Sequence, residues 1–140
     1  MRISEVELVP LALRFRSPYV TARGSLEQRE MYLVRLRTDE GIEGLGEAVP
    51  LALRGGSDMR SVFRGLLKGT RRLKRADLSD FAGDEPMLAA VDAFIHTVAG
   101  RRLPAPARAA IEMAIFDLAG TGALLGAFSL LVSLGLLIAA

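Results

Sequence analysis

The chain has 140 residues, of which 51% are hydrophobic and 24% charged, a composition that can build one packed domain and excludes an intrinsically disordered protein. Its formal net charge of +2 is too small to indicate a nucleic-acid partner, and the absence of cysteine excludes disulfides and thiolate chemistry. The first ten residues, MRISEVELVP, lack the apolar segment of a secretory signal, so we expect a cytoplasmic protein.

The first half of the chain has the two-residue period of β-strands. Apolar and polar residues alternate from Leu11 to Arg16 and again in MYLVRLRT, which the turn sequence TDEG separates from the strand-like run GIEGLGEAV. Pro10 indicates an edge position or a bulge in the first strand. Gly44 and Gly46 indicate that another part of the backbone approaches the third strand closely. We therefore predict a three-stranded antiparallel meander over residues 2–50.

The second half has the longer period of α-helices. We predict helices over residues 58–74, 85–99 and 105–119, the first of them capped by Ser57 or Asp58. The residues expected on the apolar side of this first helix are Val62, Phe63, Leu66, Leu67 and Leu73. Those on its basic side, at intervals of four, are Arg60, Arg64, Lys68 and Arg72. Strands followed by helices predict an α+β fold in which the helices cover one face of an antiparallel sheet.

Residue types and spacings alone identify no active site. His96 is the only histidine, so no second imidazole can complete a metal site, and we expect it to have a structural or surface role. Glu43 and Glu47 are a conceivable carboxylate pair, but the glycines between them favour a packing role for that segment. The basic side of the first helix has no interleaved aromatic residues, which favours a solvated face over a nucleic-acid site.

A resemblance adds what these patterns do not supply. The stretch from Val6 to Pro50, followed by ARAAIEMAIFDLAG at residues 107–120, resembles the N-terminal capping domain of the enolase superfamily, in its mandelate racemase and muconate-lactonizing group. Within that group, PYVTARG at residues 18–24 is similar to the first turn of dipeptide epimerases and o-succinylbenzoate synthases. The resemblance implies an enolase-type N-terminal α+β domain, a meander followed by a helical bundle, over residues 1–120.

The resemblance also implies a reaction and a place for the substrate. Members of this family use Mg²⁺ to assist removal of a proton α to a carboxylate, as racemases, epimerases, cycloisomerases or syn-dehydratases, and carry the bases and metal ligands on a barrel. The capping domain closes over a small carboxylate substrate with two lid loops, which by position are residues 19–25 and 51–57 here. The lid residues so implied are Tyr19, Thr21, Arg23, Gly55 and Gly56.

The sequence departs from the family pattern after Gly120. No charged side chain occurs from Leu118 to Ala140, and no barrel sequence follows. We therefore expect a capping domain with an aberrant apolar tail at residues 121–140, such as a reading-frame shift leaves, with no catalytic or metal-binding residue and no activity alone. Two alternatives remain: a lid acting in trans with a separate barrel, and a small membrane protein anchored by residues 118–140.

The missing barrel also bears on association. In the family the barrel partly covers the inner faces of the capping sheet and helices. Here Leu51, Leu53 and Ile115 are expected to lack that cover, and exposed apolar patches drive association. We therefore expect the chain to self-associate.

Overall fold

The computed structural model of the chain describes residues 2–74, 76, 78, 87–98 and 102–121. Its elements in chain order are β1 (Ile3–Thr21), β2 (Gly24–Thr38), β3 (Glu43–Ala48), a short 3-10 helix (Ala52–Arg54), α1 (Met59–Leu73), α2 (Met87–Val98) and α3 (Ala105–Thr121). The strands form one antiparallel sheet in the order β1-β2-β3. The predicted α+β fold, a meander followed by helices, is confirmed, and the described part of the chain forms no barrel.

The helices begin and end close to their sequence signals. The Oδ1 atom of Asp58 accepts a hydrogen bond of 2.7 Å from the Ser61 N–H, so Asp58 rather than Ser57 caps α1. The first and third predicted helices are found within two residues of their expected ends. The expected ends of the second helix, at residues 85 and 99, and the apolar tail beyond Thr121 lie outside the described residues.

Pro10 lies on the edge strand of the sheet, as predicted. It is paired with Tyr32 and no bulge occurs there, because the register shifts fall between Ile3 and Glu5 and within the stretch Arg14–Tyr19. Proline has no N–H to donate, and one side of an edge strand requires no donor. An edge position therefore accommodates Pro10 without a bulge.

The core lies between one face of the sheet and the helices, with α3 lying directly on β3. A Cβ atom at Gly44 would collide with the carbonyl oxygen of Ala114, and one at Gly46 with the carbonyl oxygen of Ala110. The predicted close approach of another backbone segment to these glycines is confirmed. The large side chains buried around this contact are Ile3, Val34, Leu36, Val62, Leu66, Leu73, Ile111, Ile115 and Leu118.

Three apolar side chains lie elsewhere than the sequence analysis places them. Phe63 and Leu67, predicted on the buried side of α1, are 36% and 37% exposed. The buried side of α1 instead includes Gly65. This residue packs so closely that an added Cβ would lie only 2.6 Å from the Cδ of Pro104. Ile115, expected to lack cover, is 1% exposed because α3 packs its inner side into the domain's own core.

Candidate functional site

The first predicted lid loop is the paired end of a β-hairpin. Tyr19 pairs with Leu26 and Thr21 with Gly24, which leaves Ala22 and Arg23 as a two-residue turn. We call residues 19–26 the hairpin tip.

The hydroxyl of Thr21 holds this turn in place. It donates to the carbonyl oxygen of Gly24 at 2.9 Å and accepts from the Arg23 N–H at 3.2 Å. Gly24 has a φ of 141°, a backbone conformation that favours glycine. Thr21 therefore shapes the turn, and Arg23 lies in that turn, at the end of the hairpin.

The second predicted lid loop, residues 51–57, closes on its own backbone. The Leu51 carbonyl oxygen accepts bonds of 2.9 Å from the N–H groups of both Arg54 and Gly56, and the Leu51 N–H donates to Ser57 at 3.1 Å. Gly55 has a φ of 73°, the left-handed conformation that ends the 3-10 helix. A Cβ at Gly56 would lie 2.8 Å from the Cβ of Leu51. The two glycines thus form the turn that folds this segment.

The hairpin tip and this second segment meet and enclose a cavity. A Cβ at Gly24 would lie 3.2 Å from the Cδ2 atom of Leu53, so the two segments are in contact. The cavity has a volume of about 1050 Å³. Its lining consists of Tyr19, Thr21, Ala22, Arg23, residues 25–30, residues 49–54, Asp58 and Met59. The structure therefore brings the predicted Tyr19, Thr21 and Arg23 together, whereas Gly55 and Gly56 lie outside the lining.

Apolar walls and unpaired cations characterise this cavity. Tyr19, Val20 and Leu51, on or beside its lining, are 40%, 74% and 45% exposed. Neither Arg23 nor Arg54 forms an ion pair with any residue that the structure describes. An unpaired guanidinium beside an apolar wall can bind a carboxylate through two parallel hydrogen bonds.

Arg29 and Arg54 are lining residues that the sequence analysis missed. Arg29 lies on β2 with its guanidinium 5.6 Å from the centre of the Phe15 ring, and that ring is 6.1 Å from the ring of Tyr19. The two-residue period of β2 carried back from Met31 would have placed Arg29 on the same face as Met31. Arg54 lies directly before Gly55 in the second segment, and no pattern in the sequence marks it.

The two glutamates of β3 have separate environments. Arg37 forms a hydrogen-bonded ion pair with Glu43 and holds the pKa of that carboxyl below its usual value. Burial raises the pKa of Glu47, and the charge of Arg29 opposes that rise. The two carboxylates therefore do not act as a pair.

No metal site or membrane span is found in the described part of the chain. It contains no group of three or more His, Asp or Glu side chains that could hold a metal ion, so the residues present do not fit Mg²⁺. His96 is 3.5 Å from Asp92, one turn earlier on α2. Among the described helices, none is both long enough and apolar enough to cross a membrane.

Comparison with known proteins relates this geometry to one family. The family model described as "Mandelate racemase / muconate lactonizing enzyme, N-terminal domain" matches residues 3–67. An N-succinyl-L-Arg/Lys racemase of Bacillus cereus is 32% identical over 122 residues, which is 86% of this chain and 30% of the racemase. The L-Ala-D/L-Glu epimerase of Bacillus subtilis is 31% identical over 118 residues, 84% of this chain and 30% of the epimerase.

A solved structure gives the same relationship. The dipeptide epimerase of Enterococcus faecalis, complexed with Mg and the dipeptide L-Leu-L-Tyr, superposes with a TM-score of 0.70 at 25% identity. The match covers 88% of this chain and 32% of that one. The chain thus spans about 30% of the length of the curated relatives that it matches.

Proposed function

The chain carries an enolase-superfamily N-terminal capping domain of the mandelate racemase and muconate-lactonizing type, and we propose that it forms the substrate lid of such an enzyme. The proposed reaction of the whole enzyme is removal of a proton α to a carboxylate of a small substrate. The cavity between the hairpin tip and residues 51–57 supports this proposal, because two segments far apart in sequence enclose one space of about 1050 Å³.

Each part of the cavity has a proposed task. Arg23 and Arg54 bind a carboxylate of the substrate, since neither has an anionic partner among the described residues. Tyr19 and Leu51 supply apolar cover that excludes water from the substrate. Thr21, with Gly55 and Gly56, shapes the two segments.

The described residues offer no ligand set for Mg²⁺, so this domain has no proposed part in holding the metal. We propose that this domain contributes substrate binding and closure, and that the 140-residue chain alone gives no turnover. We also propose that the capping domain comprises residues 1–120 and that residues 121–140 are not part of it.

For the substrate, we propose an N-acylated amino acid or a dipeptide. The names of the two Bacillus relatives specify substrates of these kinds, each with a carboxylate at the end of a short amide-containing chain. The cavity lining also includes two carboxylates, those of Glu27 and Glu30. A substrate with a carboxylate at one end and a cationic side chain at the other would match both charges.

The test transfers residues 1–120 into a relative. They replace the matching N-terminal segment of the Bacillus subtilis epimerase, and turnover of dipeptides and N-succinyl amino acids is measured with Mg²⁺. We expect an active chimera in which Arg23→Gln raises KM by about tenfold or more with little change in kcat, because a charge-assisted bond to bound substrate is lost.

Arg16→Gln is the matched control, because Arg16 is exposed and lies outside the cavity lining. It should leave KM unchanged. A folded chimera without turnover, or unchanged KM values in both Arg23→Gln and Arg54→Gln, would overturn the proposed role of this cavity.

A further inference from the structure

A second surface of the domain lies on the outer side of α1 and is strongly basic. The helix sequence, MRSVFRGLLKGTRRL, contains five cationic residues and no acidic one. We call these exposed cations the basic face: Arg60, Arg64, Lys68, Arg71 and Arg72. None of them forms an ion pair with a residue that the structure describes.

Helix stability does not account for this arrangement. Arg71 and Arg72 lie in the last turn, where cations stabilise a helix, but Arg60 lies in the first turn, where a cation opposes the helix dipole. Like charges four residues apart, as at Arg64 and Lys68, destabilise a helix by about 0.2–0.5 kcal/mol per pair. The isolated domain therefore carries a repulsion that a bound anion would relieve.

The basic face is held in a fixed orientation. A Cβ at Gly65 would lie 3.0 Å from the Cβ of Ala107, and one at Gly69 would collide with the side chain of Ile111. These contacts fix α1 against α3. Residues four apart are separated by about 6 Å along a helix axis, so Arg60 and Arg72 are about 18 Å apart along the axis.

An apolar depression lies within the basic face. Leu67 is 37% exposed and lines a depression of about 370 Å³ together with Arg64, Lys68, Arg71 and Arg72. An apolar centre with a charged rim, rich in arginine, is the usual composition of a protein–protein contact. Arginine forks also match carboxylates well.

Two other classes of polyanion fit less well. Single-stranded nucleic acid is bound on several exposed aromatic faces, whereas α1 offers one ring, Phe63, which is 36% exposed and has one face stacked on Tyr32 at 5.3 Å between centres. A helix that lies in a membrane interface inserts its apolar side, and the apolar side of α1 is buried in the core. Charge complementarity together with the depression over Leu67 therefore favours a peptide.

We propose that the basic face of α1 binds an acidic peptide segment of another protein, whose carboxylates pair with the arginines and whose apolar side chain fills the depression over Leu67. This surface is separate from the cavity of the lid, since none of its residues lines that cavity. If the proposal about this surface fails, the proposed capping function still stands.

The experiment measures fluorescence anisotropy of a labelled peptide of repeating Glu-Glu-Leu units on the full 140-residue chain at about 0.15 M salt. We expect binding that the triple variant Arg64→Gln, Lys68→Gln, Arg72→Gln weakens by about tenfold or more. Leu67→Ala should weaken this peptide more than it weakens labelled polyglutamate, because only the first has an apolar side chain for the depression.

The matched control changes the same total charge elsewhere. Arg14→Gln, Arg16→Gln, Arg102→Gln removes three exposed cations outside α1 and should leave the affinity within about twofold of the original. The α1 variant should melt at the same temperature as the original chain or higher, because it relieves like-charge repulsion. This readout separates lost binding from lost folding.

Three outcomes would overturn the proposal. The first is no peptide binding, and the second is an equal loss of affinity in the control variant. The third is tighter binding of oligodeoxythymidylate or of phosphatidylglycerol vesicles than of the peptide, which would assign the basic face to a phosphate partner.

Discussion

Asp117 joins α3 to the sheet through a part-buried hydrogen bond. Its side chain is 7% exposed, and its Oδ2 atom accepts from the Leu45 N–H at 2.9 Å. Removing the carboxylate would leave this part-buried N–H without this acceptor. We expect Asp117→Ala to lower the free energy of unfolding by about 1.5–3 kcal/mol, the range for hydrogen bonds to charged groups.

Urea denaturation would measure the effect of this change. Asp117→Asn keeps an acceptor oxygen and should lose less stability than Asp117→Ala. Asp92→Ala is the control, because the Asp92 side chain is 63% exposed. This substitution should lower the free energy of unfolding by less than about 0.5 kcal/mol. Equal losses for Asp117→Ala and Asp92→Ala would contradict a structural role for the bond between Asp117 and Leu45.

Glu47 and Glu43 are expected to affect stability with opposite signs as pH changes. Burial raises the pKa of Glu47 in the folded chain, so the folded state holds this proton more tightly than the unfolded state. Stability from this group therefore falls as pH rises from the unfolded pKa, about 4.3, through the higher folded pKa. We expect Glu47→Gln to raise the melting temperature at pH 7 and to have little effect near pH 3, where both states are protonated.

Glu43 provides the matched comparison on the same strand. Arg37 lowers the pKa of Glu43, so the stability that this carboxylate contributes is present above its unfolded pKa and lost as pH falls through the folded pKa. Glu43→Gln should lower the melting temperature at pH 7. Melting temperatures at pH 7 that shift in the same direction for both variants would contradict the opposite pKa shifts of Glu43 and Glu47.

At the scale of the elements, the contact between α3 and β3 depends on two residues without side chains. A Cβ at Gly46 would overlap the Ala110 carbonyl oxygen and would lie 2.9 Å from the Ala114 backbone nitrogen. These are backbone atoms that cannot rotate away. We expect Gly46→Ala to lower the free energy of unfolding by at least about 1–3 kcal/mol, the loss typical of an overpacked core. Chemical denaturation would measure this loss.

Gly41→Asn is the control for that substitution. Gly41 has a φ of 80° with no atom within 4 Å of an added Cβ, and asparagine tolerates this conformation better than most residues. It should change stability by less than about 0.5 kcal/mol. A Gly46→Ala chain as stable as the original would mean that α3 does not lie on β3 at this distance.

The predictability of these elements depends on whether the signal is local. The two-residue period, the caps and the glycines of β3 are local, and they gave the meander, the start of α1 and the close packing of α3. The exposure of Phe63 depends on contacts between distant segments, because the helical period alone does not show which residues of α1 face α3. The contact between α1 and α3 forms at Gly65 and Gly69, and Phe63 lies outside it.

The candidate site shows the same division. Tyr19, Thr21 and Arg23 were identified through a family resemblance, and the structure places all three in the lining of one cavity. The pairing of Thr21 with Gly24 and the contact of Gly24 with Leu53 depend on strand register and on contacts between distant segments. Arg29 and Arg54 line the cavity through those contacts. The period of β2 predicts the face on which Arg29 lies, but it does not predict the cavity.

At the scale of the whole molecule, the described domain closes its own core but exposes apolar side chains around the cavity. Ile115 and Leu118 are each 1% exposed and belong to the core cluster that includes residues of the sheet and of α1. Tyr19, Val20 and Leu51 remain exposed. Apolar residues exposed in one region, together with 23 uncharged residues from Leu118 onward, favour association between copies.

Deleting the chain after Gly120 should therefore reduce association without loss of the fold. We expect the shortened chain to sediment as a monomer in detergent-free buffer and to melt cooperatively, because the buried side chains of the described core all precede Gly120. The full chain should sediment as larger species. The full chain with Val20→Ser and Leu51→Ser separates the two sources of association: if it still sediments as larger species, the apolar segment causes them. A monodisperse full chain that is more stable than the shortened one would show instead that residues 121–140 are an integral part of the fold, and the proposed boundary at Gly120 would be wrong.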